Sequence, residues 1–180
     1  MTEPQLERTT RMIPPRATKT KDQYYLELAQ QVSTQSKDPS TQCGAVIVSS
    51  EGYPLGYGYN GTPRRINDNA ISWERPGKYK FIIHSEENAI NHSDRNKLSG
   101  STIYVNNRPC PGCMLRIVNA GITRVVFFDR CIQDGNSSLN HQSWLDSLEI
   151  ASLVQDITIE SYSYDDTTGL YIRGSIWGKS

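Results

Sequence analysis

The stretch TIYVNNRPCPGCMLRIVNAGITRVVFF, residues 102–128, sets two β-rich apolar runs either side of a helix-length segment. Thr102 to Val105 reads as one strand and Arg124 to Phe128 as another. Between them, Pro111 suits a first helical turn. Met114, Leu115, Ile117 and Val118 continue that helix to an end near Gly121. Cys110 and Cys113 therefore stand together at a helix start.

The same alternation extends outward in both directions. A helix is predicted from about Lys21 to Ser36. Thr20 and Gln23 form a capping box ahead of it, and Tyr25, Leu28, Ala29 and Val32 share one face. GAVIVSS and YPLGYGY, split by Glu51-Gly52, read as a hairpin. A long irregular segment runs from Asn60 to Lys80, and a helix opens at His84. A further helix near His141 to Val154 and a strand from Ile157 to Tyr162 follow. The tail YDDTTGLYIRGSIW reads as an extra strand or an interface. Strands alternating with helices predict an α/β layered fold with one mixed sheet. The chain has 180 residues, enough for one sizeable core. The predicted organisation is an irregular arm over 1–19 and a single domain over 20–180.

Composition excludes several function classes. Nineteen Lys and Arg balance nineteen Asp and Glu, so no long-range field favours nucleic acid or a membrane surface. No apolar leader or membrane-length run is present, and a cytoplasmic protein is expected. Four cysteines in such a chain argue for metal or catalysis rather than disulfides. His92 and His141 read as surface residues, Cys43 as a buried thiol and Cys131 as a free one.

The stretch HSEENAI, 84–90, supplies the rest of a centre. A helix N-terminus favours the thiolates of Cys110 and Cys113, and sulfur with imidazole selects zinc. With His84 as third ligand, one tetrahedral position stays open, which marks a catalytic site. Glu86, two residues on, is placed to move protons without being a ligand. Glu87 faces solvent or supports the site. A redox pair leaves His84 and Glu86 unexplained, and a zinc ribbon needs a second C-x-x-C. An inactive zinc scaffold has no use for Glu86.

H-x-E followed by P-C-x-x-C is the zinc-deaminase signature. SKDPSTQCGAVIV, GYGYNGTPRRINDN, KYKFIIHSEENAI, TIYVNNRPCPGC and NAGITRVVFF together resemble the deoxycytidylate (dCMP) deaminases, phage-encoded members included. The resemblance covers about Ser36 to Phe128. It implies the three-layer α-β-α cytidine-deaminase fold, with a five-stranded mixed sheet and helices on both faces. It implies hydrolytic deamination of dCMP to dUMP and ammonia by a zinc-activated water, Glu86 moving the protons. The rival substrate is another cytosine nucleotide such as dCTP. One catalytic zinc per chain is expected, since no histidine ahead of His84 suggests a second site.

The resemblance also implies binding residues. Asn60 would meet the sugar hydroxyl, the Ser85 N–H the pyrimidine O2, and the Arg108 carbonyl the leaving amino group. Lys37, Ser40, Thr41 and Arg130 are candidates for the 5′-phosphate. Many members are homohexamers activated by dCTP and inhibited by dTTP. Gly58, Tyr59, Gly61, Arg64, Arg65, Asn67, Asp68 and Asn69, with Arg95 and Lys97, are the candidates for that regulatory nucleotide, Asp68 helping to hold Mg²⁺. The location implied is cytoplasmic, the host cytoplasm if the chain is viral.

Overall fold

The computed structural model describes residues 16–129 and 141–178. Residues 1–15 of the expected arm, and Arg130 and Cys131, lie outside these. Helix α1 spans Lys21–Ser33, opened by the expected capping box between Thr20 and Gln23. It stops three residues short of Ser36 because the next turn takes over the chain. The Ser36 hydroxyl donates to the carbonyl of Asn60 at 2.8 Å, and Pro39 disfavours helix at Asp38.

Strands β1 (Gly44–Val48) and β2 (Pro54–Tyr59) pair antiparallel. Their turn uses Gly52 at φ 88°, a conformation that favours glycine. Then come α2 (Ser85–Asn91), β3 (Thr102–Val105), α3 (Pro111–Asn119) and β4 (Arg124–Phe128). The chain continues through α4 (His141–Ser152), β5 (Thr158–Asp165) and β6 (Leu170–Gly178). The irregular segment before α2 contains two short 3-10 turns, Asp68–Ala70 and Gly77–Lys80.

The strand order is β2-β1-β3-β4-β5-β6, with β3, β4 and β5 parallel and the other pairings antiparallel. Every residue of β1 is buried, as a strand covered on both faces requires. Alternation divides the core. Ala45, Ile47, Ile103, Val105, Val125 and Phe127 face α2, α3 and α4. Val46, Val48, Tyr104, Val126 and Tyr162 face α1. The expected three layers are thus present.

The sheet has six strands where five were expected. The sixth is the C-terminal tail. Gly169 at φ 68° turns the chain, and the Thr168 hydroxyl donates to Asp165 at 2.7 Å. Trp177 then packs on Phe127 and Trp144, with ring centroids 6.2 and 5.4 Å away. That aromatic burial holds the tail to the sheet. No helix of the described residues is long and apolar enough to cross a membrane.

Candidate active site

The chain leaves β3 and β2 and returns through α3 and α2, so two helix starts meet beside the sheet. His84 is the N-cap of α2 and Cys110 the N-cap of α3, both in extended backbone. Cys113 follows one turn into α3. Nδ1 of His84 lies 3.4 Å from the sulfur of Cys110 and 3.4 Å from that of Cys113. The ligand atoms of all three lie within 4.8 Å of one another. Such separations suit ligands about 2.0–2.3 Å from a shared zinc. Among the described residues this is the one His/Cys/Asp/Glu group with that property.

Several contacts fix the two helix starts. Gly61 and Ile83 exchange backbone hydrogen bonds at 3.0 and 2.8 Å, which ties the residue before His84 to the end of β2. Asn88 donates to the carbonyl of Tyr59 at 2.8 Å. A Cβ on Gly58 would lie 2.3 Å from the backbone nitrogen of Ala89, so only glycine lets α2 approach so closely. Glu87 pairs with Arg116 at 3.1 Å and joins α2 to α3. On α4, the Ser147 hydroxyl donates to the carbonyl of Pro109 at 3.0 Å and braces the cysteine loop.

The electrostatics follow from this crowding. The Cys113 contact, with help from His84, outweighs burial and brings the Cys110 thiol down to about 4. Cys110 in turn raises His84 to about 9, against the opposing effect of burial. Cys113 is pushed up by its neighbour Cys110 and by burial. A thiolate beside an imidazolium is an arrangement that a cation can replace. Glu86 is buried, and burial pushes its carboxyl up, countered in part by His84. The Ser85 hydroxyl donates to Glu86 Oε2 at 2.8 Å.

His84, Ser85, Glu86 and Cys110 line a cavity of about 220 Å³ together with Asp38, Thr41, Cys43, Asn60, Arg75, Lys78, Tyr79, Ile82, Val105, Asn107 and Arg108. Cys43 is half-buried on its wall rather than fully buried. Asn60 is buried, its amide bonded to the backbone of Cys43 at 2.8 Å and of Thr41 at 2.9 Å. Ser40 and Thr41 cap onto Asp38, their N–H groups donating to Oδ1 at 2.9 and 3.1 Å. The Arg108 guanidinium grips Asp129 at 2.9 and 2.8 Å and lies 5.5 Å from the Trp144 ring centroid.

Sequence reasoning missed Asp38, Arg75, Lys78 and Asp129. Lys78 is 1% exposed, and its ammonium donates to both Asp38 oxygens at 2.6 Å. Burial pushes the Asp38 carboxyl up, but Lys78 and the Ser40 contacts hold it below its ordinary value. The motif SKDPS carried a signal: an acid ahead of Pro in a turn beside the pocket. Its partner, forty residues on, carried none.

Lys37 does not line this cavity. It pairs with Asp68 at 2.5 Å, at a second cleft of about 210 Å³ lined also by Tyr59, Gly61, Thr62, Pro63, Arg64, Ile66 and Trp73. Arg65, Asn67 and Asn69 are exposed nearby in the sequence. Arg95 and Lys97 lie on a separate short turn, also exposed, as are His92 and His141. Arg130 lies outside the described residues.

A family profile described as the cytidine and deoxycytidylate deaminase zinc-binding region matches residues 19–129. The chain is 34% identical over 122 residues to human deoxycytidylate deaminase, covering 64% of this chain and 68% of that protein. It is 33% identical over 119 residues to the deoxycytidylate deaminase of Mycobacterium phage D29, covering 59% of this chain and 92% of the phage protein. The solved dCMP deaminase of cyanophage S-TIM5, in complex with dCMP and dUMP, superposes with a TM-score of 0.57 at 26% identity. That likeness covers 77% of this chain and 93% of the other.

Proposed function

The chain belongs to the zinc-binding cytidine and deoxycytidylate deaminase family, and from that membership we propose that it hydrolyses dCMP to dUMP and ammonia. The observation that carries the reading is one cavity lined by His84 and Cys110 of the three-ligand cluster, the buried acid Glu86 and Asn60. The donor set fits zinc. When bound, zinc supplies Lewis acidity and a water of lowered pKa.

The chain's own residues do the rest. Glu86, held by Ser85, takes a proton from the attacking water and gives one to ring N3. The water oxygen bonds to C4; Glu86 then takes the remaining proton from that C4 hydroxyl and delivers it to the 4-amino group. The C4–N bond then breaks and ammonia leaves. Such proton transfers contribute about 10²–10⁴-fold. Asn60 keeps one amide N–H for the sugar hydroxyl, since its other bonds go to backbone. The Ser85 N–H at the pyrimidine O2 and the Arg108 carbonyl at the amino group complete the base contacts. Ser40 and Thr41 stand nearer the phosphate end, and Arg130 is a further candidate there.

The proposal extends to regulation. A dCTP activator and a dTTP inhibitor, each with Mg²⁺, would use the second cleft, with Arg65, Asn67, Asn69, Arg95 and Lys97 reached at its edge or across a subunit contact. Support comes from Tyr59, Gly61, Arg64 and Asp68 lining one cleft with Lys37. Support also comes from the Gly61–Ile83 bridge, which joins that cleft to His84. Adjacent Lys37 and Asp38 face the two clefts. We include a homohexamer and a cytoplasmic location in this reading.

The test is ammonia release and dUMP formation from dCMP, with and without Mg²⁺-dCTP and Mg²⁺-dTTP, using Glu86→Gln as control. Turnover that dCTP raises and dTTP suppresses is expected. Conversion of a different cytosine compound, with none of dCMP, would replace the substrate. Turnover indifferent to both triphosphates would remove the regulation.

A further inference from the structure

Among the described residues, five charged side chains outside the cysteines and histidine line this cavity: Asp38, Arg75, Lys78, Glu86 and Arg108. Four of them are committed. The Lys78 ammonium spends its donors on Asp38 at 2.6 Å and on the Ser40 hydroxyl at 2.5 Å. Arg108 is held in a two-pronged grip by Asp129. Glu86 takes the Ser85 hydroxyl. Arg75 differs. Its side chain donates to the Thr41 hydroxyl oxygen, and no carboxylate pairs with it among the described residues. It is exposed, whereas Glu86 is buried, so it stands at the cavity rim and the acid at the floor.

A nucleotide whose base reaches Glu86 and whose sugar meets Asn60 directs its 5′ end outward. The group met there is a guanidinium with four N–H donors still unspent. Its fork matches phosphate oxygens in two-point contact. Thr41 accepts from Arg75 and so keeps its own O–H as a further donor.

We propose that Arg75, steadied by Thr41, is the residue through which this cavity selects a 5′-phosphorylated ligand over the free nucleoside. The inference rests on the reading that the cavity takes a cytosine nucleotide base-first. It adds a specificity-determining cation from the irregular segment before α2, in place of the exposed Lys37, which is engaged with Asp68.

The experiment is calorimetric binding of dUMP and of deoxyuridine to the zinc-loaded chain, its Arg75→Ala variant and its Arg75→Lys variant. The unmodified chain should prefer dUMP. Arg75→Ala should weaken dUMP by about ten- to a hundredfold and leave deoxyuridine unchanged. Arg75→Lys, which keeps the charge without the fork, should lie between. Equal losses for both ligands would make Arg75 merely structural and overturn the proposal. So would undiminished dUMP binding in Arg75→Ala, or no dUMP preference in the unmodified chain. Turnover of dCMP by the unmodified chain judges the substrate reading separately. A chain that fails there but shows an Arg75-dependent phosphate preference keeps the present inference.

Discussion

The Ser85 hydroxyl donates a 2.8 Å hydrogen bond to Oε2 of Glu86, and both side chains are buried in the floor of the cavity. A proton carrier fixed in one rotamer is poised for transfer without reorganisation. Ser85→Ala removes that bond and leaves the backbone N–H in place. A hydrogen bond to a charged group contributes about 1.5–3 kcal/mol. Much of it is recovered when water fills the gap, so kcat should fall by about five- to twentyfold. Zinc content should be unchanged. Glu86→Gln should cost about 10²–10⁴-fold with the metal retained. Loss of zinc in Ser85→Ala would mean the serine holds the helix rather than the acid.

Gly58 makes a second prediction. A Cβ there would lie 2.3 Å from the Ala89 nitrogen and 2.5 Å from the Ser85 carbonyl oxygen, both of them backbone. Neither atom can swing away, so Gly58→Ala must move α2 off β2. The cost should be about 3 kcal/mol in urea unfolding. Because α2 carries His84, zinc affinity should fall with it. A variant as stable as the parent would show that α2 shifts freely.

Asp129 is 2% exposed and holds Arg108 by both carboxylate oxygens. Asp129→Ala strands a half-buried guanidinium against Trp144, and breaking such a pair costs about 3–5 kcal/mol. Stability should drop by about 3 kcal/mol, since Arg108 retains some water. The loop to Cys110 should loosen, and thermal unfolding with and without zinc would show it as a smaller metal-induced rise in Tm. Replacing both residues, as Arg108→Met with Asp129→Leu, should recover part of the loss. No recovery would place the effect in Asp129 alone.

The contrast among these residues explains what the sequence could reveal. His84, Glu86, Cys110 and Cys113 were legible because each pair lies within one helical turn, where spacing fixes geometry. The strands flanking them were legible because buried runs such as GAVIV have few alternatives. Asp38 and Lys78 were not, since they are forty residues apart and neither Lys37 nor Lys78 advertises which will be buried. Lys37 looked the better cation because it lies in the motif, yet it faces the second cleft. The sixth strand was left open because YDDTTG is as good a turn in a free tail as in a hairpin. Only the packing of Trp177 on Phe127 and Trp144 decides it.

Asp22 ties helix α1 to the far end of the sheet from the cysteines. It accepts from Arg124 at 2.8 and 2.9 Å, and from Tyr104 and Tyr162 at 2.8 Å each. Burial alone pushes its carboxyl up. The bonds from Arg124, Tyr162 and Tyr104 overcome that and hold it at about 2, against an ordinary 3.8. Between those values the folded chain binds fewer protons than the unfolded one, so stability rises with pH across the window. The contribution is therefore full above about pH 5 and disappears as pH falls through about 2. A shift of this size corresponds to about 2 kcal/mol, reduced to about 1–2 kcal/mol because Arg124 is partly open to water. Urea unfolding of the parent and of Asp22→Asn should differ by that amount at pH 7. The two curves should converge as pH is lowered from about 4 towards 2. A difference that persists undiminished at the acid end would mean that the carboxylate's charge is not what binds α1 to Arg124, and that shape and neutral hydrogen bonds suffice.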